Sequence, residues 1–333
     1  MPAERSARPV LVTGAAGYIG ARVAALLLTD GRAVRAFDSF LFGDGALAAC
    51  RDRPGFEAVR GDVRDAASVR RAAEGADAVV HLARLVGDPA CALDPTLTRA
   101  VNVDGTRHVI DAAAAAGARR LVFASTCSVY GAAGDGWLDE NSATSPVSLY
   151  AETHLEAEAL LRAQPSGAEA PCILRFATVF GAAPRMRFDL VVNLLTARAL
   201  RERIVEVHGG DQWRPQVHVD DVARAVILAL DHPAAAGATF NVGSDALNLR
   251  IADLGERIAA RFPGTHLTVQ ATRDPRSYRV SFARIERDLG YRASRTLESG
   301  IDEIAAWLTA SPDTNFRAAR FSNVLTLTEM LRA

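Results

Sequence analysis

The feature that most constrains this chain is an alternation of two periods. Short aliphatic or β-branched runs at Pro9–Thr13, Ala33–Phe37, Ala78–His81, Arg120–Ala124 and Pro171–Phe176 are separated by segments of helical period such as Ala21–Leu28 and Thr106–Ala116. Strands alternating with helices imply βαβ units and a parallel sheet. From about Gly181 the rhythm changes to helical segments with few strands, at Phe188–Ala199, Asp220–Leu230, Ile251–Arg261 and Leu297–Leu308. The expected fold is therefore α/β: a doubly wound parallel sheet over residues 1–180, then a smaller, mainly helical lobe over 181–333. The Val217–Val219 run and the helix from Asp220 are expected to return to the first lobe, so the boundary is discontinuous in sequence.

With 38 basic and 39 acidic residues the formal net charge is -1. That balance disfavours nucleic acid or an acidic membrane surface as a partner and points to a small molecule. Every basic residue except histidine is arginine, because the chain contains no lysine. Cys50, Cys91, Cys127 and Cys172 show neither a CxxC pair nor Cys/His spacing, so no metal site and no disulfide framework is expected, and a reducing cytoplasm fits. Met1–Pro9 is polar and no later stretch is apolar for long enough to span a bilayer, so neither secretion nor insertion is expected.

Gly14, Gly17 and Gly20 follow the first strand and open the first helix, with Tyr18 and Ile19 between the last two. Glycines there permit a sharp turn and a close backbone approach to a pyrophosphate, which the free N–H groups of the helix N-terminus can hold. Asp38 closes the second strand about twenty residues on, where a carboxylate can accept hydrogen bonds from an adenosine ribose and repel a 2′-phosphate. NAD is the expected cofactor. Arg35 precedes the strand end and Ser39 follows Asp38, where a phosphate-binding arginine would otherwise be expected.

With these residues in place the sequence resembles the extended short-chain dehydrogenase/reductase family, the group of sugar-nucleotide epimerases and dehydratases, and the resemblance covers nearly the whole chain. It rests further on Gly61-Asp62-Val63, His81-Leu82-Ala83, the Asn102-x-x-Gly105-Thr106 helix start, Ser125-Thr126 ahead of Val129-Tyr130-Gly131, and the segments around Arg214 and Asp274-Pro275-Arg276. The resemblance implies a Rossmann-type fold in which Asp62, Val63, Leu82, Ala83, Asn102 and Ser125 join the glycine loop around NAD. It also implies that Thr126 and Tyr150 carry the chemistry, that Arg214 and Arg276 take the nucleotide diphosphate, and that the protein is a homodimer. Arginine's fixed fork of donors suits phosphate.

One position departs from the family pattern. The resemblance implies a lysine four residues after Tyr150, but this chain has His154, which the helical spacing keeps on the same face. A histidine can hydrogen-bond a ribose, but it lowers the tyrosine pKa only when protonated, and its ordinary pKa is about 6.5. The expected consequence is a lower or more pH-dependent turnover than a lysine-bearing relative shows.

Cys127-Ser128 stands where 4,6-dehydratases carry an acidic pair, which disfavours that dehydration; both residues are expected near the sugar, Cys127 as a proton-transfer thiol or as a buried structural cysteine. Thr178 stands where many relatives place a substrate-facing asparagine, and Arg185, Arg187 and Asp189 either line the sugar pocket or cover the surface. The expectation is an NAD-dependent, 4-epimerase-like enzyme acting on a nucleotide-diphosphate sugar. The alternatives are a dehydrogenase, reductase or atypical dehydratase of the same substrates, and a non-catalytic binder left by the missing lysine.

Overall fold

The computed structural model describes residues 8–165, 167, 170–271 and 276–332. Asp274 and Pro275 of the second arginine segment, and Met1–Ala7, lie outside the described residues.

Seven strands form the central sheet: β1 Val10–Thr13, β2 Val34–Asp38, β3 Phe56–Arg60, β4 Ala78–His81, β5 Leu121–Thr126, β6 Cys172–Phe176 and β7 Thr239–Val242. Their spatial order is β7-β6-β5-β4-β1-β2-β3, and every pairing is parallel. The order reverses between β1 and β4, which opens a crevice at the carboxyl ends of those strands. The expected strands lie within a residue or two of the observed ones. Two more were missing from the reading. β3 is an edge strand whose Phe56-Glu-Ala-Val-Arg60 is half exposed and therefore carries no continuous apolar run. β7, Thr239-Phe-Asn-Val242, is fully covered at three positions but arrives late, after the second lobe has begun.

Helices cover both faces of the sheet. The buried faces of Tyr18–Thr29 and Val219–Asp231 share one core with β1, β2, β6 and β7. Val69, Val109, Ile110, Ala157 and Leu161 from three further helices share the other, with Leu11, Val79 and Phe123. The chain thus comes back to the sheet through Val219–Asp231 and β7.

A separate apolar core holds the second lobe, built from Met186, Phe188, Leu195, Val205, Leu254, Ile301, Ile304 and Phe321 among others. The lobe contains more strand than the helical period suggested. Trp213–His218 lies between Thr178–Phe180 and Asn248–Arg250, and Ile204–His208 pairs with His266–Gln270. These strands are three to six residues long, too short for a period-2 pattern to stand out. Among the described residues no helix is long and apolar enough to cross a membrane.

Candidate active site

A cleft of about 1070 Å³ runs from the glycine loop along the carboxyl edge of the sheet to the second lobe. At its floor Gly14 has φ +71°, and a Cβ there would lie 2.7 Å from the Ala83 nitrogen. A Cβ on Gly20 would lie 2.1 Å from the Gly14 carbonyl oxygen. Only glycine fits either position. The helix that starts at Tyr18 has no side-chain cap and no acidic residue in its first turn. Its N-terminal positive end is therefore not offset locally, which suits a pyrophosphate. Tyr18 and Ile19 border the cleft, and the Tyr18 hydroxyl donates to the Gly181 carbonyl at 2.6 Å, tying this helix to the second lobe.

Asp38 accepts from the Ala16 and Phe40 backbone N–H groups at 2.9 and 2.7 Å, which fixes its carboxylate at the cleft wall. Burial raises its pKa against those two hydrogen bonds. Arg35 turns away to Glu57 and the Ala72 and Glu74 carbonyls, so it offers nothing to a 2′-phosphate. Asp62, Val63, Leu82 and Ala83 border the same end of the cleft. The glycine cradle, the uncapped helix and the Asp38 carboxylate together fit NAD.

Asn102 is a correction. It is fully buried in a π-helical turn, Ala100–Asp104, and its amide is spent on the Leu85 N–H, the Leu85 carbonyl and the Thr153 hydroxyl. It holds the loop after β4 against the Leu149–Arg162 helix and does not border the cleft.

The other end of the cleft carries the hydroxyl groups. Ser148 caps the Leu149–Arg162 helix by accepting from the Ala151 N–H, and its own hydroxyl donates to Asp88 at 2.7 Å. Tyr150 and His154 follow on one face of that helix, with ring centroids 4.4 Å apart, and both border the cleft. Thr126, at the end of β5, accepts from the Ser128 N–H and borders the cleft with Tyr150, whose phenolate a hydrogen bond from the Thr126 hydroxyl favours. Burial pushes the Tyr150 pKa up to about 12, against the Thr126 bond and the charge of Arg84.

His154 lies 2.7 Å from the Tyr150 carbonyl through Nδ1, so Nδ1 carries the proton and a neutral ring presents Nε2 as an acceptor. Burial, then the Arg84 charge, hold its pKa well below the ordinary value. The partly protonated histidine expected from the sequence is thus corrected. At neutral pH His154 contributes a lone pair and no charge, so it can accept from a ribose hydroxyl where an ammonium would donate.

Of the two roles expected for Cys127 the structure shows the buried structural one, and its expected place near the sugar is corrected. The residue is 1% exposed, its thiol donates to the Arg175 carbonyl at 3.3 Å behind the strand, and burial raises its pKa, so it neither reaches the cleft nor ionises. Ser128 does border the cleft, with its hydroxyl 3.3 Å from that of Tyr278. Ser125 borders it too, although its hydroxyl donates to Glu158 at 2.5 Å.

Thr178, Arg214 and Arg276 line the second-lobe wall. Arg214 donates to the Trp213 and Arg276 carbonyls, and Arg276 pairs with Asp88 across the cleft. Arg185, Arg187 and Asp189 also line it: Arg187 forks onto Asp189 at 2.9 and 3.0 Å, and Arg185 stacks over Phe42 at 3.6 Å.

Sequence reasoning missed three contributors. Phe42 follows Asp38 in a loop without a pattern. Arg84 follows Leu82-Ala83 directly, and its signal was available: a charged residue three positions after a fully buried strand. The C-terminal segment turns back to the cleft, where Asn323 receives Arg185 at 2.7 Å, donates its N–H to Asp189 and borders the cleft with Leu327 and Met330.

The sequence profile of the NAD dependent epimerase/dehydratase family matches residues 10–243. A Bacillus subtilis protein named uncharacterized UDP-glucose epimerase YtcB is 28% identical over 313 residues, covering 90% of this chain and 98% of the relative. The dTDP-glucose 4,6-dehydratase of Streptomyces griseus is 30% identical, covering 90% of this chain and 93% of the relative. Among solved structures, MoeE5 in complex with UDP-glucuronic acid and NAD superposes with a TM-score of 0.77 at 30% identity, covering 91% of this chain and 99% of that one. A glycine cradle that admits no Cβ, a carboxylate fixed at the cleft wall and a profile spanning the whole sheet lead to one conclusion: the chain belongs to the NAD dependent epimerase/dehydratase family of enzymes, with NAD as its cofactor.

Proposed function

We propose that the enzyme is a nucleotide-diphosphate-sugar epimerase of the 4-epimerase type, redox-neutral over a full turnover. The observation that carries this reading is that Thr126 and Tyr150 both line the cleft without a carboxylate in the two positions after Thr126. A dehydration needs an acid for the leaving hydroxyl and a base for a carbon-bound proton. Here those positions hold a buried, un-ionised Cys127 and a Ser128 hydroxyl within reach of Tyr278. Epimerisation needs neither.

Bound NAD supplies a reversible hydride acceptor. The chain's own residues do the rest: Tyr150 takes the proton of a sugar hydroxyl and later returns one, Thr126 orients that hydroxyl, and His154, whose Nε2 is left as an acceptor, would help hold the cofactor. Arg214 and Arg276 approach from the second lobe, where a diphosphate would meet two guanidinium groups.

Incubation with UDP-, dTDP- and GDP-sugars plus NAD, followed by NMR of the sugar ring and by NADH absorbance, tests this. A new epimer without accumulating NADH is expected and names the carbon. Stoichiometric NADH, an unsaturated or deoxy-keto product, or tight binding without conversion would each replace the reading.

A further inference from the structure

Arg214 stands in the strand Trp213–His218, and Arg276 directly precedes the strand Ser277–Val280. Two guanidinium groups kept at one wall repel each other, so the segments that carry them need an attachment of their own before a ligand arrives. Resting on the reading that Arg214 and Arg276 take the diphosphate, we propose that a stack of Trp137, Arg279 and Trp213 on the outer side of that wall fixes the two arginines in place.

Strand alternation places the stack. Arg276 and Tyr278 border the cleft and Arg279 does not; Arg214 borders it and Trp213, one residue earlier, does not. Away from the cleft, the Arg279 guanidinium carbon lies 4.9 Å from the centre of the Trp213 ring and 5.5 Å from that of Trp137, both within cation–π range. Arg250, paired with Trp213 across the antiparallel strands, meets the Trp213 ring at 5.2 Å as well. The three stacked residues come from three strands: Trp213 opens Trp213–His218, Arg279 lies in Ser277–Val280, and Trp137 lies in Ala132–Leu138, which follows the turn after Thr126.

Backbone pairing alone leaves a gap at this place. Ser277 pairs with Ala132 and Arg279 with Trp137, so one strand advances two residues while the other advances five. A bulge of that kind interrupts the ladder, and the contact of Arg279 with Trp137 bridges it where pairing resumes. On the other side, the Trp213 N–H donates to the Ser277 hydroxyl at 3.2 Å and Arg214 donates to the Arg276 carbonyl, so the two segments are joined beside each arginine. On the cleft side, the Arg214 guanidinium lies over the Tyr278 ring at 5.3 Å, and the Tyr278 hydroxyl is 3.3 Å from that of Ser128. The same three strands are thus joined on both faces, by Tyr278 within the cleft and by Arg279 outside it. Trp137, Arg279 and Trp213 are positioning residues: they act on the diphosphate through Arg214 and Arg276.

The test is calorimetric titration of the NAD-loaded protein with UDP, dTDP and GDP, which carry the diphosphate without a sugar. Trp137 is 53% exposed, so Trp137→Ala opens no core cavity. It is expected to weaken the tightest of the three about two- to fivefold, and Arg279→Met, which loses both ring contacts, about fivefold or more. Arg279→Lys is expected to keep most of the affinity, because an ammonium retains the cation–π contact. NAD affinity and the thermal midpoint of Trp137→Ala are expected to stay near the wild type. In an Arg276→Ala background Trp137→Ala is expected to cost less than it does alone, because one of the two groups it places is gone. Unchanged affinity in Trp137→Ala overturns the proposal, as does full additivity with Arg276→Ala; neither result depends on whether Arg279→Met folds. If Arg276→Ala itself leaves the affinity unchanged, the diphosphate reading fails and the stack's role with it, whereas a working Arg276 beside a silent Trp137 sinks the stack alone.

Discussion

Glu158 and Arg175 form a buried bidentate ion pair, at 2.9 Å through Nε and 2.7 Å through Nη2, that joins the helix bearing Tyr150 to β6. Glu158 also accepts from Ser125, next to Thr126 on β5. The pair therefore ties the helix that carries Tyr150 to the two strands beside it, β5 with Thr126 at its end among them. Burial would raise the Glu158 pKa, but the hydrogen bonds and charge of Arg175 outweigh it and hold the carboxyl below its ordinary value. Removing one partner leaves the other charged and buried. Glu158→Gln is expected to cost about 3–5 kcal/mol in urea unfolding, and pairing it with Arg175→Met to recover much of that loss. A single variant as stable as the wild type would show that the pair is not held as described.

Tyr150 supplies the second prediction. Its working form is the phenolate, and a pKa near 12 means that the phenolate fraction grows about tenfold per pH unit below that value. Turnover is expected to rise with pH on the alkaline side, and Tyr150→Phe to reduce it by about 10²–10⁴-fold with NAD affinity unchanged. A flat rate profile from neutral pH upward would remove Tyr150 as the base.

His81 supplies the third. Burial, then Arg84, bring its pKa from 6.5 down to about 3. The unfolded chain binds this proton below about pH 6.5, whereas the folded chain resists it down to about 3. The stability that the neutral ring contributes is therefore complete above 6.5 and lost as pH falls through that window. His81→Asn is expected to lower stability at pH 7 and to flatten its dependence on pH between 6.5 and 3, measured by thermal unfolding.

Arg276 supplies the fourth. Its guanidinium meets Asp88 across the cleft, and a charge-assisted hydrogen bond to phosphate contributes about 1.5–3 kcal/mol. Arg276→Ala is expected to raise KM for a nucleotide-diphosphate sugar by about 10–100-fold with kcat less affected. An unchanged KM would assign Arg276 to the Asp88 pair alone.

The sequence by itself determined the frame. Buried strands such as Val10–Thr13 and Ala78–His81 read as apolar runs because both faces are covered, and the glycine loop and Asp38 carry their meaning in local spacing. Positions set by a four-residue helical step, such as Tyr150 and His154, were legible for the same reason. What only the tertiary structure decided are properties that depend on neighbours distant in the chain. Asn102 and Cys127 sit within motifs yet do not border the cleft, because the loop residue Leu85 and the neighbouring-strand residue Arg175 offer them backbone partners. His154 is neutral because burial and Arg84, seventy residues earlier, oppose its charge. The C-terminal helix reaches the cleft only because Asn323 finds Arg185, Asp189 and Val86 there. Periodicity is local and survives in sequence; desolvation and charge coupling act through space and do not.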